Sequence, residues 1–150
     1  DMFSSVDQNT NICHEDKTDH MPTKPRIPLH AAAGSLSFND TGVGLMECEQ
    51  IPVISALPKY DFTIFANGDS MMPEYHSGDE LACLSINDKS FIQWGRVHVL
   101  DTRQGIVVKK IFEEGEYLLC ESNNSRYSEF KIHKTEVFNM ALVVGLIRRY

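Results

Sequence analysis

The segment RVHVLDTRQGIVVKKIFEEGEYLLCES (96–122) decides the fold, because it holds three apolar runs of strand length separated only by short turns. These runs are RVHVLDT (96–102), QGIVVKKIF (104–112) and EYLLCES (116–122). Valine, isoleucine, tyrosine and phenylalanine favour strands, and glycine and charged residues mark the breaks between them. The pattern predicts antiparallel strands joined by tight turns, and it lacks the strand-helix-strand alternation of a nucleotide-binding fold.

The same pattern continues on both sides of this segment. Further segments of strand or extended character are IPLHAAAGSLSF (27–38), LMECEQIPVI (45–54), YDFTIFA (60–66), DELACLSI (79–86) and ALVVGLIRRY (141–150). Only EYHSG (74–78) and HKTEVFN (133–139) have room for a helical turn. We therefore expect a mostly β domain of short antiparallel strands.

A change of composition near residue 27 divides the chain. Residues 1–26 are polar and follow neither helical nor strand periodicity, so we expect a flexible or extended linker there. Residues 27–150 then form the folded domain, which agrees with a total of 150 residues. The opening Asp1-Met2 is unlike a natural start, so we expect the chain to be a fragment of a longer protein.

Charge and cysteine content exclude several classes of protein. The formal net charge of -7 argues against a nucleic-acid surface, which needs clustered Lys and Arg. The four cysteines form no CxxC pair, and Cys13, His14 and His20 match no zinc spacing, so we expect reduced thiols and no metal. Neither a membrane span nor a signal peptide is evident, and we expect a cytoplasmic protein.

A serine in the segment FANGDSMMPEYHSGDELA (65–82) raises the question of catalysis. Ser70 follows an apolar strand and sits in a turn marked by glycine and proline. A nucleophilic serine needs a base, and the six histidines are scattered without a Ser-His-Asp order or a GxSxG elbow. Asp69 either caps the turn or orients the serine loop, and we favour capping.

A desolvated lysine can replace histidine as the base, because burial disfavours the ammonium form. In the strand QGIVVKKIF (104–112), Lys109 shares a face with Val107 and Ile111, whereas Lys110 shares the opposite face with Val108 and Phe112. Periodicity alone does not choose between the two lysines. The alternative is that both protect an edge strand against aggregation.

Four separated motifs carry a resemblance to a known family. The motifs are GDSMMP (68–73), SGDELA (77–82), VVKKI (107–111) and SNNSRYSEF (122–130). Together they resemble the C-terminal domain of LexA-type repressors, within a Ser-Lys self-cleaving family that includes phage repressors and UmuD. The resemblance spans roughly residues 27–150 and implies a LexA/signal-peptidase-like complex β fold. The loop SRYSEF departs from the family at Ser128 and Glu129, where a proline is common.

The resemblance implies roles for particular residues. It makes Ser70 the nucleophile and Lys109 the general base, with the backbone N–H groups of Ser70 and Met71 holding the oxyanion. It also implies a scissile bond upstream of the serine, which HAAAGS (30–35) offers at Ala33-Gly34. Small side chains suit a narrow cleft, and Gly34 removes the Cβ that would crowd the attacking oxygen.

We expect three other features to be structural. Met71 and Met72 fill the core, and Trp94 serves packing or an interface. The resemblance implies that ALVVGLIRRY (141–150) is the strand through which the domain dimerises.

The function expected from the resemblance is that of a self-cleaving, dimerising domain of a helix-turn-helix repressor. A DNA-binding half would precede the chain, a RecA filament would act as co-protease, and no cofactor is needed. Two alternatives stay open: a UmuD-like accessory of an error-prone polymerase, and an inactive dimerisation module. A signal peptidase is disfavoured because no membrane anchor is evident.

Overall fold

One sheet of nine strands organises the protein. The computed structural model describes residues 21–27 and 48–149, and within them it contains no α-helix. The strands are β1 (Thr23–Ile27), β2 (Glu49–Pro52), β3 (Phe62–Phe65), β4 (Glu80–Ile86), β5 (Val97–Thr102), β6 (Gly105–Glu114), β7 (Tyr117–Glu121), β8 (Phe130–His133) and β9 (Val137–Ile147). Two 3-10 helices cover Lys89–Phe91 and Lys134–Glu136. The second lies in the HKTEVFN segment, as predicted, whereas EYHSG forms turns.

The strand order is β2-β1-β3-β4-β9-β5-β6-β7-β8. Every pair is antiparallel except β1 with β3, where Arg26 lies beside Thr63 and Ile27 beside Ile64. The prediction of a mostly β fold with antiparallel strands is therefore confirmed. The parallel pair arises because β2 folds back on β1, so that β3 reaches the other edge of β1 only after a longer connection.

Two clusters of buried side chains form the core. The first includes Ile27, Phe62, Ile64, Met71, Leu81 and Val99, and the second includes Leu100, Ile111, Leu118 and Cys120. Met71 is buried, as predicted, whereas Met72 is half-buried. The first cluster underlies the turn that follows β3, and the second underlies the hairpin of β6 and β7. These two regions together build the candidate site.

The structure corrects the predicted strands at β1, β6, β8 and β9, and β6 continues to Glu114, beyond the predicted end at residue 112. Residues 23–26 lie in β1 and not in a flexible linker, because Arg26 pairs with a buried carboxylate and Ile27 is fully buried. The sequence also gave no signal for β8, and β9 begins at Val137 and not at residue 141. The predicted extended segment 28–47, the tail 1–20 and Tyr150 lie outside the described residues.

Candidate active site

The turn after β3 presents Ser70 on a closed loop. Ala66 N–H donates to the Asp79 carbonyl at 2.8 Å and Gly78 N–H donates back to the Ala66 carbonyl at 2.9 Å, which closes the loop at its base. Gly68 has φ 82° and Gly78 has φ 95°, a region that side chains with a Cβ rarely adopt. Met71, which follows the serine, is buried in the first core cluster. The loop is thus anchored on both sides of Ser70.

Lys109 on β6 reaches the serine. Its Nζ donates to Ser70 Oγ at 2.7 Å, across 39 residues of sequence. Lys109 is half-buried, and burial lowers the pKa of its ammonium group while the nearby Cys120 thiol opposes part of that shift. The Lys110 side chain makes no hydrogen bond or ion pair with another residue in the described ranges. Of the two lysines that periodicity left equivalent, only Lys109 contacts Ser70.

Three residues from the loop after β7 hold the serine turn, and we name Asn123, Asn124 and Tyr127 the serine clamp. Asn124 N–H donates to the Ser70 carbonyl at 2.9 Å, and its Nδ2 donates to the Asp69 carbonyl at 3.0 Å. Tyr127 donates to Asp69 Oδ1, and Asn123 Nδ2 donates to the Met71 carbonyl at 3.3 Å. The carboxylate of Asp69 therefore connects the serine loop to Tyr127, so it orients the loop and the prediction that it caps the turn is wrong.

The clamp belongs to the same hairpin as the lysine. Lys110 lies opposite Glu121 where β6 pairs with β7, and the clamp begins two residues after β7 ends. One hairpin thus carries both Lys109 and the groups that hold Ser70. Sequence reasoning did not predict these contacts, although SNNSRYSEF was one of the four motifs behind the resemblance.

The amide groups beside Ser70 are free in the described structure. Neither Ser70 N–H nor Met71 N–H donates a hydrogen bond to another described residue. The next amide, Met72 N–H, donates to the Asp69 carbonyl at 3.1 Å, so the turn does not use the first two. Two unpaired N–H groups beside a serine oxygen are suited to hold a developing negative charge.

A cavity of about 210 Å³ opens onto the serine and the lysine. Residues 64–68 form one wall, residues 106–109 form the other, and Ser70, Met71 and Tyr75 complete the lining. Lys109 is the only Lys, Arg, Asp or Glu among the described residues that line it. Among its described residues, the groove therefore presents a single charged side chain, that of Lys109, beside the serine.

Comparison with known proteins places the chain in a family. The family model for peptidase S24-like proteins matches residues 27–144, which is more than half of the chain. The chain belongs to the peptidase S24-like family. This membership agrees with the LexA- and UmuD-type motifs seen in the sequence. A search of curated proteins found no match.

The histidines that the structure describes in the S24-like domain do not contact Ser70. Of the three in the described ranges, His98 is fully buried, and its Nδ1 lies 2.8 Å from the Arg96 carbonyl. Burial lowers the pKa of His98, which favours its neutral form. His76 contacts the Pro73 carbonyl and His133 contacts Thr135. Within residues 21–27 and 48–149, no group of three His, Cys, Asp or Glu side chains could hold a metal.

Two adjacent buried acids connect the end of the serine turn to both ends of the described chain. Asp79, at the end of the serine turn, accepts two hydrogen bonds from Arg148, at 2.9 and 2.8 Å. Glu80 accepts from Arg26 on β1 and from Arg149. Hydrogen bonds from Arg148 hold the pKa of Asp79 below its usual range against the opposing effect of burial. Burial acts to raise the pKa of Glu80, but Arg26 and Thr63 outweigh it and the pKa is lowered.

The remaining predicted residues lie apart from the serine or outside the described ranges. Trp94 is 40% exposed and lines a separate cavity of about 330 Å³ that includes neither Ser70 nor Lys109. Ala33 and Gly34 lie outside the described residues. No described helix is long and apolar enough to cross a membrane.

Proposed function

We propose that this S24-like domain is a self-cleaving serine peptidase that cuts its own Ala33-Gly34 bond. The observation that carries the proposal is the 2.7 Å contact between Ser70 Oγ and Lys109 Nζ at the edge of an open groove. A half-buried lysine with a lowered pKa has a larger neutral fraction than an exposed lysine at the same pH. A neutral amine within hydrogen-bond distance of a hydroxyl is the arrangement that general-base catalysis requires.

The proposed reaction proceeds in two stages. Neutral Lys109 takes the proton of Ser70 as Oγ attacks the carbonyl carbon of Ala33, and the Ser70 and Met71 N–H groups hold the oxyanion. The C–N bond then breaks, and Lys109 returns the proton to the leaving amine of Gly34. Lys109 next takes a proton from water, which attacks the ester and releases Ala33 as a free carboxylate. Ser70 recovers its proton from Lys109.

The register of β1 and β3 supports delivery of the bond to Ser70 within one chain. Ile27 is the β-bridge partner of Ile64, and both strands run in the same direction. Ala33 follows Ile27 by six residues, as Ser70 follows Ile64 by six residues. Six residues span at most about 20 Å when extended. The tether raises the effective concentration of the bond, so a weak catalyst suffices.

The composition of the substrate segment matches the groove. HAAAGS (30–35) contains no Lys, Arg, Asp or Glu, and the groove walls supply apolar side chains such as Ile64, Ile106 and Val108. Alanine side chains lose little conformational entropy on docking. A charged side chain beside Lys109 would instead alter the pKa on which catalysis depends.

We further propose that the domain dimerises and regulates a helix-turn-helix repressor whose DNA-binding half lies upstream. The net charge of -7 fits a domain that leaves DNA contacts to another part of the protein. β9 pairs with β5 only as far as Leu142. From Val143 to Ile147, the edge of β9 that faces away from β4 therefore has no partner among the described strands. An open strand edge is suited to pairing with a second copy. A RecA filament remains the proposed co-protease.

The test of cleavage is incubation of the purified chain from neutral to alkaline pH, followed by gel analysis. We expect the wild-type chain to lose length over time and Ser70→Ala to stay intact. Ser90→Ala is the matched control, because it removes an exposed serine hydroxyl on the 3-10 helix and leaves the groove untouched. An intact wild-type chain under every condition, with RecA filament included, would leave an inactive dimerisation module. Analytical ultracentrifugation tests the dimer separately.

A further inference from the structure

Strand β1 lies in a slot between β2 and β3, two strands that follow it in the sequence. It pairs with β2 over four residues from Thr23 to Arg26, and with β3 at Arg26 and Ile27. Ile27 is fully buried in the first core cluster. The slot is thus lined by backbone groups on both edges and by core side chains beneath its end.

A buried carboxylate recognises the arginine of this strand. Glu80 is fully buried and accepts from Arg26 Nε at 2.8 Å and from Arg26 Nη2 at 3.1 Å. Thr63 donates to the same carboxylate at 2.6 Å. The guanidinium also lies 5.4 Å from the ring centroid of Phe65 and 3.2 Å from the carboxylate of Glu49. A planar, charged fork held on several sides is a specific anchor.

We propose that this slot is a peptide-binding site that retains β1 after the chain is cut between Ala33 and Gly34. The inference rests on the proposed function for the natural cut. All the strands and side chains that hold β1 lie after residue 34, whereas β1 lies before it. A cut there removes only the covalent connection and leaves every contact of β1 in place. The ligand is a basic extended segment, MPTKPRI (21–27), of this chain.

This retention separates cleavage from release. After the cut, the upstream segment stays attached until β1 leaves the sheet, and departure of β1 removes the two hydrogen bonds that Arg26 donates to Glu80. The Glu80 carboxylate then keeps only Thr63 and Arg149 as partners among the described residues. Loss of the bidentate partner of a buried carboxylate is unfavourable, so departure is slow. In a repressor, the upstream half would remain bound to the dimerising domain for that time. Breaking the peptide bond would start inactivation but not complete it.

The experiment uses a chain that cannot cut itself. A recognition site for a sequence-specific protease replaces part of residues 36–45 in the Ser70→Ala chain, and the protease makes the cut. Gel filtration and intact mass of each peak then show whether the two fragments elute together. Because Ser70 is absent, this result is independent of whether the natural chain is a peptidase. Separate elution of the fragments would overturn the proposal.

Substitutions identify the anchor. Arg26→Ala should weaken retention about tenfold or more, because it removes the two hydrogen bonds that Arg26 donates to the buried Glu80 carboxylate. Lys24→Ala is the matched control, since it removes the same charge from the same strand without an ion pair among the described residues. Equal retention in both variants would overturn the role of Arg26. If the uncut Arg26→Ala chain fails to fold, excess MPTKPRI peptide is added to the cut Ser70→Ala chain, with MPTKPAI as the control peptide. Displacement of the bound fragment by MPTKPRI alone supports the role of Arg26, and equal displacement by both peptides overturns it.

Discussion

Replacing Lys109 by arginine should abolish self-cleavage while the neighbouring lysine tolerates the same change. Arginine keeps the positive charge and a similar length, but its guanidinium does not lose a proton in proteins. It therefore cannot take the proton of Ser70, which lies 2.7 Å from Lys109 Nζ. Loss of a general base lowers rates by about 10² to 10⁴-fold. We expect a loss of that size for Lys109→Arg and less than about threefold for Lys110→Arg.

The pH dependence gives the same prediction a second readout. The active form of Lys109 is neutral, and burial lowers its pKa below the ordinary value of 10.5. Below that pKa, the rate should rise about tenfold for each pH unit and then level off. The plateau should begin below pH 10.5, because the pKa is lowered and not raised.

The assay is the first-order loss of intact chain, followed by gel densitometry from about pH 6 to about pH 11. Circular dichroism of each variant serves as the folding control. A Lys109→Arg chain that cleaves at the wild-type rate would refute the assignment of the base. A wild-type rate that falls as pH rises, with the fold intact, would refute it independently.

Three further predictions test the clamp, the buried acid and the lysine. Tyr127→Phe removes the hydrogen bond to Asp69 and should slow cleavage about tenfold without changing the pH at which the rate levels off. The control is Tyr117→Phe, which changes a tyrosine of similar exposure and should not slow cleavage. Glu80→Gln should lower the free energy of unfolding, measured by urea denaturation at neutral pH, by about 1.5–3 kcal/mol. The control is Glu49→Gln, which changes the exposed carboxylate that also pairs with Arg26 and should lower that free energy by at most about 1 kcal/mol. Because the folded-state pKa of Glu80 is lowered, the stability that its carboxylate contributes is present above the ordinary glutamate pKa and is lost as pH falls through the folded pKa. If Glu80→Gln lowered the free energy of unfolding equally at acidic and neutral pH, the assignment would be contradicted. Lys109→Met should raise the thermal midpoint at neutral pH, because the folded state disfavours the charged lysine, and an unchanged midpoint would count against its desolvation.

The sequence predicted most strands because their signals are local. The structure places β3, β4, β5 and β7 within segments whose strand character is visible without any partner, and β6 runs only two residues beyond its predicted segment. β1 was missed because TKPRI contains Pro25 and two basic residues. Its burial depends on Glu80, which lies 54 residues away from Arg26. A long-range ion pair leaves no periodic trace in the strand that it stabilises.

The candidate site was predictable only in part for the same reason. Motif resemblance pointed to Ser70 and Lys109, whereas strand periodicity alone left Lys109 and Lys110 equivalent. The contact between Ser70 and Lys109 depends on how the hairpin of β6 and β7 packs beside the turn after β3. The clamp residues Asn123, Asn124 and Tyr127 act across more than 50 residues of sequence. Polar residues in a loop give no local sign of what they hold.

The position of the cut is the most direct test of the central claim that Ser70 attacks Ala33. Intact mass spectrometry of the incubated wild-type chain should give two new species, whose masses correspond to residues 1–33 and 34–150. The Ser70→Ala chain, incubated in parallel, should give only the full-length mass. A cut at any other bond, or the same two fragments from the Ser70→Ala chain, would contradict the account.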